Sequence, residues 1–178
     1  MATISYNPPQ PSGLSKDSVE NFAASVAAQL GFGVGGDLSD VITKLGGRVR
    51  AQELWEIADS SSGSIRIDSH NSFEVVVALH TGPARDRFTI AHELGHYVLH
   101  YLWPLNQKKD VGPIEAKRYG TGRVEWEANW FAAAFLMPEG EFRRIYAEVN
   151  GSIAALADRF KVSIEAAKVR AKSLGLGA

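Results

Sequence analysis

Residues 87–96 read RFTIAHELGH and contain the pattern His-Glu-x-x-His at positions 92–96. On a helix, positions four apart lie on the same face, so the imidazoles of His92 and His96 can bind one metal ion. Glu93 lies one step around the helix, beside the metal, where its carboxylate can act as a base for zinc-bound water. Gly95 would allow another element or the substrate to approach the helix closely. The spacing therefore predicts a zinc site with Glu93 as the catalytic base.

The flanks of this stretch decide between a metal site and two surface histidines that bind nothing. Apolar residues occur on both sides, Phe88, Ile90 and Ala91 before the pattern and 97–99 (Tyr-Val-Leu) after it. Uncharged histidines in a buried helix need polar partners, and a metal ion is one. The apolar flanks therefore favour the metal site.

A catalytic zinc needs three protein ligands and one open position. The chain has no cysteine, so the third ligand must be His, Asp or Glu. The longer pattern HExxHxxGxxH is excluded, because Leu99 and Leu102 stand where it requires Gly and His. His100 would lie about 12 Å along the helix axis from His92, at 1.5 Å per residue, so we expect it to pack or to support a ligand.

Two carboxylates in residues 124–132, VEWEANWFA, are the candidates for the third ligand. A carboxylate in so apolar a helix is unusual and indicates a specific role. Glu125 and Glu127 are two positions apart and point to different sides of the helix, so only one can face the metal. The residues alone leave the choice open.

The composition is that of one globular domain. The chain has 178 residues, of which 45% are hydrophobic, and a net charge of −1, which does not suggest a protein that coats nucleic acid. Disulfides and thiolate metal sites are excluded. The first residues resemble no secretory signal, and the longest apolar run, 130–137, is too short to span a bilayer. We therefore expect a cytoplasmic protein that makes no membrane contact.

Periodicity predicts an α+β fold in three parts: a flexible, proline-rich tail (1–13), a metal-binding domain (14–138) and a C-terminal helical segment (139–178). Alternation and β-branched runs predict a small, mostly antiparallel sheet, followed by the active-site helix over 85–100. A long basic loop is expected over 103–122. The predicted strands are 48–57, 63–68 and 73–80, and the other predicted helices follow Ser15 and cover 38–45, 124–136, 139–149, 153–160 and 164–174.

The C-terminal segment has the pattern of a helix-turn-helix at residues 153–167, with Ser163 capping the second helix. From residue 141 onward, seven Lys/Arg against four Asp/Glu give a net charge of +3. Helical hairpins more often pack or dock a partner than read DNA, and a basic surface alone carries no readout. Packing or partner docking is therefore favoured over DNA binding.

Residues 87–96, together with residues 127–138 (EANWFAAAFLMP), closely resemble the ImmA/IrrE family of zinc metallopeptidases, with Phe135 where the family usually has Leu. The resemblance implies a minimal zincin-like fold with a gluzincin-like ligand set, in which Glu127 is the third metal ligand. It also implies a protein substrate. Known members cleave a helix-turn-helix repressor encoded beside them, which derepresses stress or mobile-element genes.

Two further points stay open in the sequence. The alternative function is a DNA-binding or toxin-antitoxin regulatory protein with a structural zinc and no turnover. A peptidase would also need a donor that stabilises the oxyanion. The candidates for that donor are Tyr97, His100, Tyr119, Arg123 and His80.

Overall fold

The computed structural model of the chain describes residues 4–52, 64–78, 82–117 and 122–177. Helices and a small sheet alternate along it, which confirms the α+β prediction. The helices are α1 (Lys16–Gln29), α2 (Leu38–Lys44), α3 (Pro83–Gly95), α4 (Trp103–Asn106), α5 (Arg123–Leu136), α6 (Glu139–Glu148), α7 (Ile153–Phe160) and α8 (Ile164–Ser173), and a π-helical segment (His96–Leu102) continues α3. The strands are β1 (Gly47–Ala51), β2 (Ser64–Ser69), β3 (Ser72–Val77) and β4 (Ile114–Lys117).

The four strands form one sheet in the order β1-β3-β2-β4. β2 pairs antiparallel with both β3 and β4, whereas β1 joins β3 in parallel. The prediction of a small, mostly antiparallel sheet is therefore confirmed, with one parallel pair at its edge. The first predicted strand extends to residue 57, and its part beyond residue 52 lies outside the described residues, as do residues 79 and 80 of the third.

The prediction of one long loop over 103–122 is wrong for the part that forms α4 and β4. In β4, the apolar side chains of Ile114 and Ala116 are buried against β2, and Glu115 stands between them. A strand of four residues is too short for this alternation to be distinguished from a loop in the sequence.

Residues 4–13, for which the sequence predicts a flexible tail, make specific long-range contacts. Asn7 forms a parallel bridge to Ile114, and the Tyr6 hydroxyl donates a hydrogen bond of 2.5 Å to Asp68. The backbone N–H of Ser12 donates to Glu127 over 2.8 Å. The prolines in this segment give no periodic signal, and its partners are distant in sequence, so the pattern of residues does not reveal these contacts.

α3 and α5 approach each other closely at Gly95. A Cβ atom placed there would lie 3.2 Å from the Cα of Ala128 and 3.2 Å from its carbonyl oxygen. The expectation that Gly95 admits another element is thus confirmed, and that element is α5. The ring of Phe73 stacks on Tyr97 at 4.0 Å, which fixes the π-helical segment against the sheet.

The π-helical segment ends beside a proline. Pro104 has no N–H to donate to the His100 carbonyl in the usual α-helical pattern. The N–H of Trp103, the residue before this proline, bonds the carbonyl of Val98, five residues back, and not that of Leu99, its partner in an α-helix. π-Helical turns are frequent at functional sites, and the segment His96–Leu102 contains both His96 and His100.

The C-terminal helices join the rest of the protein through a buried arginine. Arg170, only 3% exposed, forms an ion pair of 2.7 Å with Glu20 of α1 and donates to the carbonyl of Met137. The bounds predicted for α7 are confirmed, as is the cap formed by Ser163. Among the described residues, no helix combines the length and the apolar character that crossing a membrane requires.

Candidate metal centre

Three potential ligands meet where the end of α3 faces the first turn of α5. The Nε2 atoms of His92 and His96 lie 3.1 Å apart. Glu125 Oε2 lies 3.1 Å from His92 Nε2, and Glu125 Oε1 lies 3.5 Å from His96 Nε2. Within the described residues, this is the one group of three or more His, Asp or Glu side chains whose ligand atoms all lie within 4.8 Å of one another.

The spacing of these atoms fits a tetrahedral ion. Zinc binds His nitrogen and carboxylate oxygen at about 2.0–2.2 Å, which places neighbouring ligand atoms about 3.3 Å apart in a tetrahedron. The observed separations of 3.1–3.5 Å bracket that value. Two imidazoles and one carboxylate are also a ligand set that catalytic zinc sites use, and they leave one position open.

The two histidines differ in their affinity for protons. Burial alone would lower the pKa of His92, but the carboxylates of Glu125 and Glu93 outweigh burial and raise it. Burial and the neighbouring imidazoles of His92 and His100 hold the pKa of His96 well below its usual value. His96 is therefore neutral, which is the form that binds a metal.

The proposed base, Glu93, is 1% exposed. It belongs to the same turn of α3 as His92, and its negative charge contributes to the raised pKa of that histidine. The carboxylate therefore lies close enough to His92 to raise the pKa of that histidine.

A further residue at the cluster, Asn129, was missed in the sequence. Its Oδ1 lies 2.9 Å from His92 Nδ1, so that Nδ1–H donates to the amide oxygen and Nε2 keeps its lone pair for a metal. Asn129 follows Glu125 by four positions and therefore shares its face of α5. That spacing was the available signal.

Glu127, the third ligand that the family resemblance implies, lies in a different group. Its Oε2 is 3.0 Å from His100 Nε2 and accepts from the Ser12 N–H, while its Oε1 accepts from Arg123 Nε at 2.9 Å. Burial alone would raise the pKa of Glu127, but the hydrogen bonds from His100, Arg123 and Ser12 lower it to about 2. The structure brings Glu125 to His92 and His96, whereas Glu127 is bonded to His100.

The remaining sequence candidates concern the oxyanion. Tyr97 stacks on Phe73, and its hydroxyl accepts from the Asn71 N–H, on the sheet side of the helix. His100 and Arg123 are both bonded to Glu127. The other two candidates, at positions 80 and 119, lie outside the described residues.

The fold and this His/His/carboxylate cluster are those of a metallopeptidase-like domain. The Peptidase M78 family, described as the IrrE N-terminal-like domain, matches residues 56–172, and the chain belongs to this family. The family assignment confirms the resemblance to ImmA/IrrE proteins that the two sequence motifs indicated.

Among solved structures, a Mycobacterium tuberculosis transcriptional regulator is similar, with a TM-score of 0.59 and 21% sequence identity. The match covers 88% of this chain but 46% of that one, so this chain spans less than half the length of the regulator. At this identity the likeness concerns the fold alone. No curated protein matches the chain in sequence.

Proposed function

We propose that the protein is a zinc-dependent endopeptidase whose metal is held by His92, His96 and Glu125. The observation that carries this proposal is the spacing of the three ligand atoms, 3.1–3.5 Å, which suits a tetrahedral ion with one open position. We assign the third ligand to Glu125 instead of Glu127, because Glu127 is already enclosed by hydrogen-bond donors.

A zinc ion held by His92, His96 and Glu125 would supply Lewis acidity for the scissile carbonyl and for a water. Glu93 would accept a proton from the attacking water and deliver it to the leaving amine. Asn129 holds the ring of His92, and the neutral state of His96 keeps that ligand ready.

A groove beside the cluster supports a polypeptide substrate. It has a volume of about 590 Å³, lies between α8 and the pair formed by α3 and α5, and includes Asn129 in its lining. Phe88, Trp130 and Val169 make much of its surface apolar, and Val169 is 57% exposed. A segment of a substrate protein lying in this groove would pass next to the metal ligands, because Asn129 contacts His92.

The substrate we propose is one specific protein, a helix-turn-helix transcriptional repressor, whose cleavage would derepress stress or mobile-element genes in the cytoplasm. Family membership supports a protein substrate. The basic residues of the C-terminal helices support docking over DNA binding, since four of the seven are engaged with carboxylates of the protein itself. The four pairs are Arg143–Glu139, Arg144–Glu141, Arg159–Glu148 and Arg170–Glu20.

The test compares wild type with Glu93→Gln, both loaded with zinc and incubated with a candidate repressor. We expect wild type to cut the repressor at one site, mapped by mass spectrometry, and Glu93→Gln to bind equal zinc and lose activity by about 1,000-fold or more. Casein should stay intact with both. Equal cleavage by the two proteins would contradict the assigned base.

The alternative is a DNA-binding or toxin-antitoxin regulator with a structural zinc, and the α7–α8 hairpin is the feature that favours it. In that case Glu93→Gln would regulate as wild type does. Charge reversal at Lys161 and Lys168 would then abolish operator binding, whereas for a peptidase it would weaken cleavage of the partner.

A further inference from the structure

Three buried side chains, His96, His100 and Glu127, are linked in series by hydrogen bonds that lead away from the metal cluster. His96 Nδ1 is 3.0 Å from His100 Nδ1, and His100 Nε2 is 3.0 Å from Glu127 Oε2. His96 and His100 are each 2% exposed and Glu127 is 0% exposed. Because solvent does not reach these atoms, their hydrogen bonds must be satisfied within the chain itself.

The direction of each hydrogen bond follows from the other partners of Glu127. Arg123 Nε and the Ser12 N–H are donors only, so both carboxylate oxygens accept. Glu127 therefore accepts from His100 as well, which places the His100 proton on Nε2. A histidine with one ring proton then has a lone pair on Nδ1, and this lone pair accepts from His96 Nδ1–H.

The last atom in the series is His96 Nε2. With its proton on Nδ1, the ring of His96 directs a lone pair from Nε2 toward His92 and Glu125. The opposite tautomer would place a proton on the atom that must bind the metal. A supporting hydrogen bond that sets the tautomer of a ligand is known to affect metal affinity by about 10–100-fold.

We propose that Glu127 and His100 are positioning residues that fix His96 in the tautomer whose Nε2 is open to the metal. This inference rests on the ligand set of the proposed function, but the tautomer itself is a property of the protein without metal. It also gives the buried carboxylate of α5 a role other than that of a ligand. Ser12 and Arg123 hold Glu127 in place, so the segment before α1 belongs to the same network.

The experiment reads the tautomers directly, by long-range ¹H–¹⁵N correlation of histidine-labelled, metal-free protein. We expect His96 to carry its proton on Nδ1 and His100 on Nε2 in wild type. Glu127→Leu removes the acceptor and should populate the Nε2–H form of His96, with zinc affinity reduced by about 10–100-fold. Glu127→Gln is the matched control, because an amide oxygen in place of Oε2 can still accept from His100 and Ser12 while only the contact to Arg123 is lost, and it should keep the wild-type tautomers.

Three results would overturn the proposal that Glu127 and His100 fix the tautomer of His96. The first is a wild-type His96 protonated on Nε2. The second is a folded Glu127→Leu variant with unchanged tautomer and zinc affinity, for which His100→Phe is the substitute if Glu127→Leu does not fold. The third is a Glu127→Gln variant that loses zinc as completely as Glu125→Gln, since Glu127 would then be a ligand. If wild type shows the expected tautomers and binds zinc but does not cleave a repressor, the proposed function would be overturned, whereas the positioning role of Glu127 and His100 would be supported.

Discussion

Near the N-terminus of α5, Glu125 and Glu127 carry the same functional group on two sides of the helix, in opposite surroundings. On the front, Glu125 faces the ring nitrogens of His92 and His96, which can offer lone pairs. On the back, Glu127 faces donors, among them Arg123 and the Ser12 N–H. A carboxylate facing lone pairs needs a cation between them, whereas one surrounded by donors is already satisfied. The chemistry of the facing atoms thus separates a ligand from a supporting residue.

The largest expected effect comes from substituting the three proposed metal ligands. His92→Ala, His96→Ala and Glu125→Ala should each weaken zinc binding by about 100-fold or more, since about 10–16 kcal/mol of binding is shared among few ligands. Competition with a chromophoric chelator measures the affinity. Stoichiometric zinc in a His92→Ala/His96→Ala double variant, shown by elemental analysis, would refute the site.

The sequence predicts the helices and the two histidines that share one face, but it does not predict which side of α5 faces those histidines. Helices with a clear apolar period were predicted with correct bounds, as at α7, and the His-Glu-x-x-His pattern placed both histidines on one face. Which side of α5 faces them depends on how that helix is rotated against α3, and packing at Gly95 and Ala128 decides this. Such packing is not visible in a local pattern. β4 and residues 4–13 were missed for a related reason, because their partners are distant in sequence.

The next effect tests the packing that sets this rotation. Gly95→Ala introduces a methyl group 3.2 Å from the backbone of Ala128, so one helix must shift. Overpacking usually costs about 1–3 kcal/mol, and the better helix propensity of alanine offsets up to about 1 kcal/mol of it. We therefore expect the free energy of unfolding to fall by up to about 2 kcal/mol, and zinc affinity to fall with it. Denaturant unfolding with and without zinc measures both.

Gly140→Ala is the matched control, because a Cβ at Gly140 in α6 meets nothing within 4 Å. It should leave zinc affinity unchanged and stabilise the protein slightly, since alanine favours the helix by up to about 1 kcal/mol. Equal behaviour of the two variants would show that the contact at Gly95 does not position the front.

The role of Glu127, on the other side of α5, can be tested through the pH dependence of stability. The pKa of Glu127 is lowered from 4.5 to about 2, so its contribution to stability is present above about pH 4.5 and is lost as the pH falls toward 2. From about pH 6 to about pH 3, metal-free wild type should lose about 2 kcal/mol more stability than Glu127→Gln does. Denaturant unfolding at both pH values measures the difference. Parallel losses in the two proteins would contradict a satisfied carboxylate on this side.

The smallest expected effect is on zinc affinity, and it comes from substituting Ser12 in the segment before α1, which contacts Glu127. Ser12→Pro removes the N–H that donates to Glu127 over 2.8 Å, whereas Ser12→Ala keeps it. Both substitutions remove the hydroxyl that accepts from the Leu14 N–H, so their difference reports the lost backbone donor together with the backbone restriction that proline imposes. We expect zinc affinity to fall about 3-fold to 10-fold in Ser12→Pro alone, because a hydrogen bond to a charged group contributes about 1.5–3 kcal/mol and Arg123 and His100 still hold the carboxylate. If both variants bind zinc as wild type does, the front depends on His100 and Arg123 but not on this segment, and the coupling ends at Glu127.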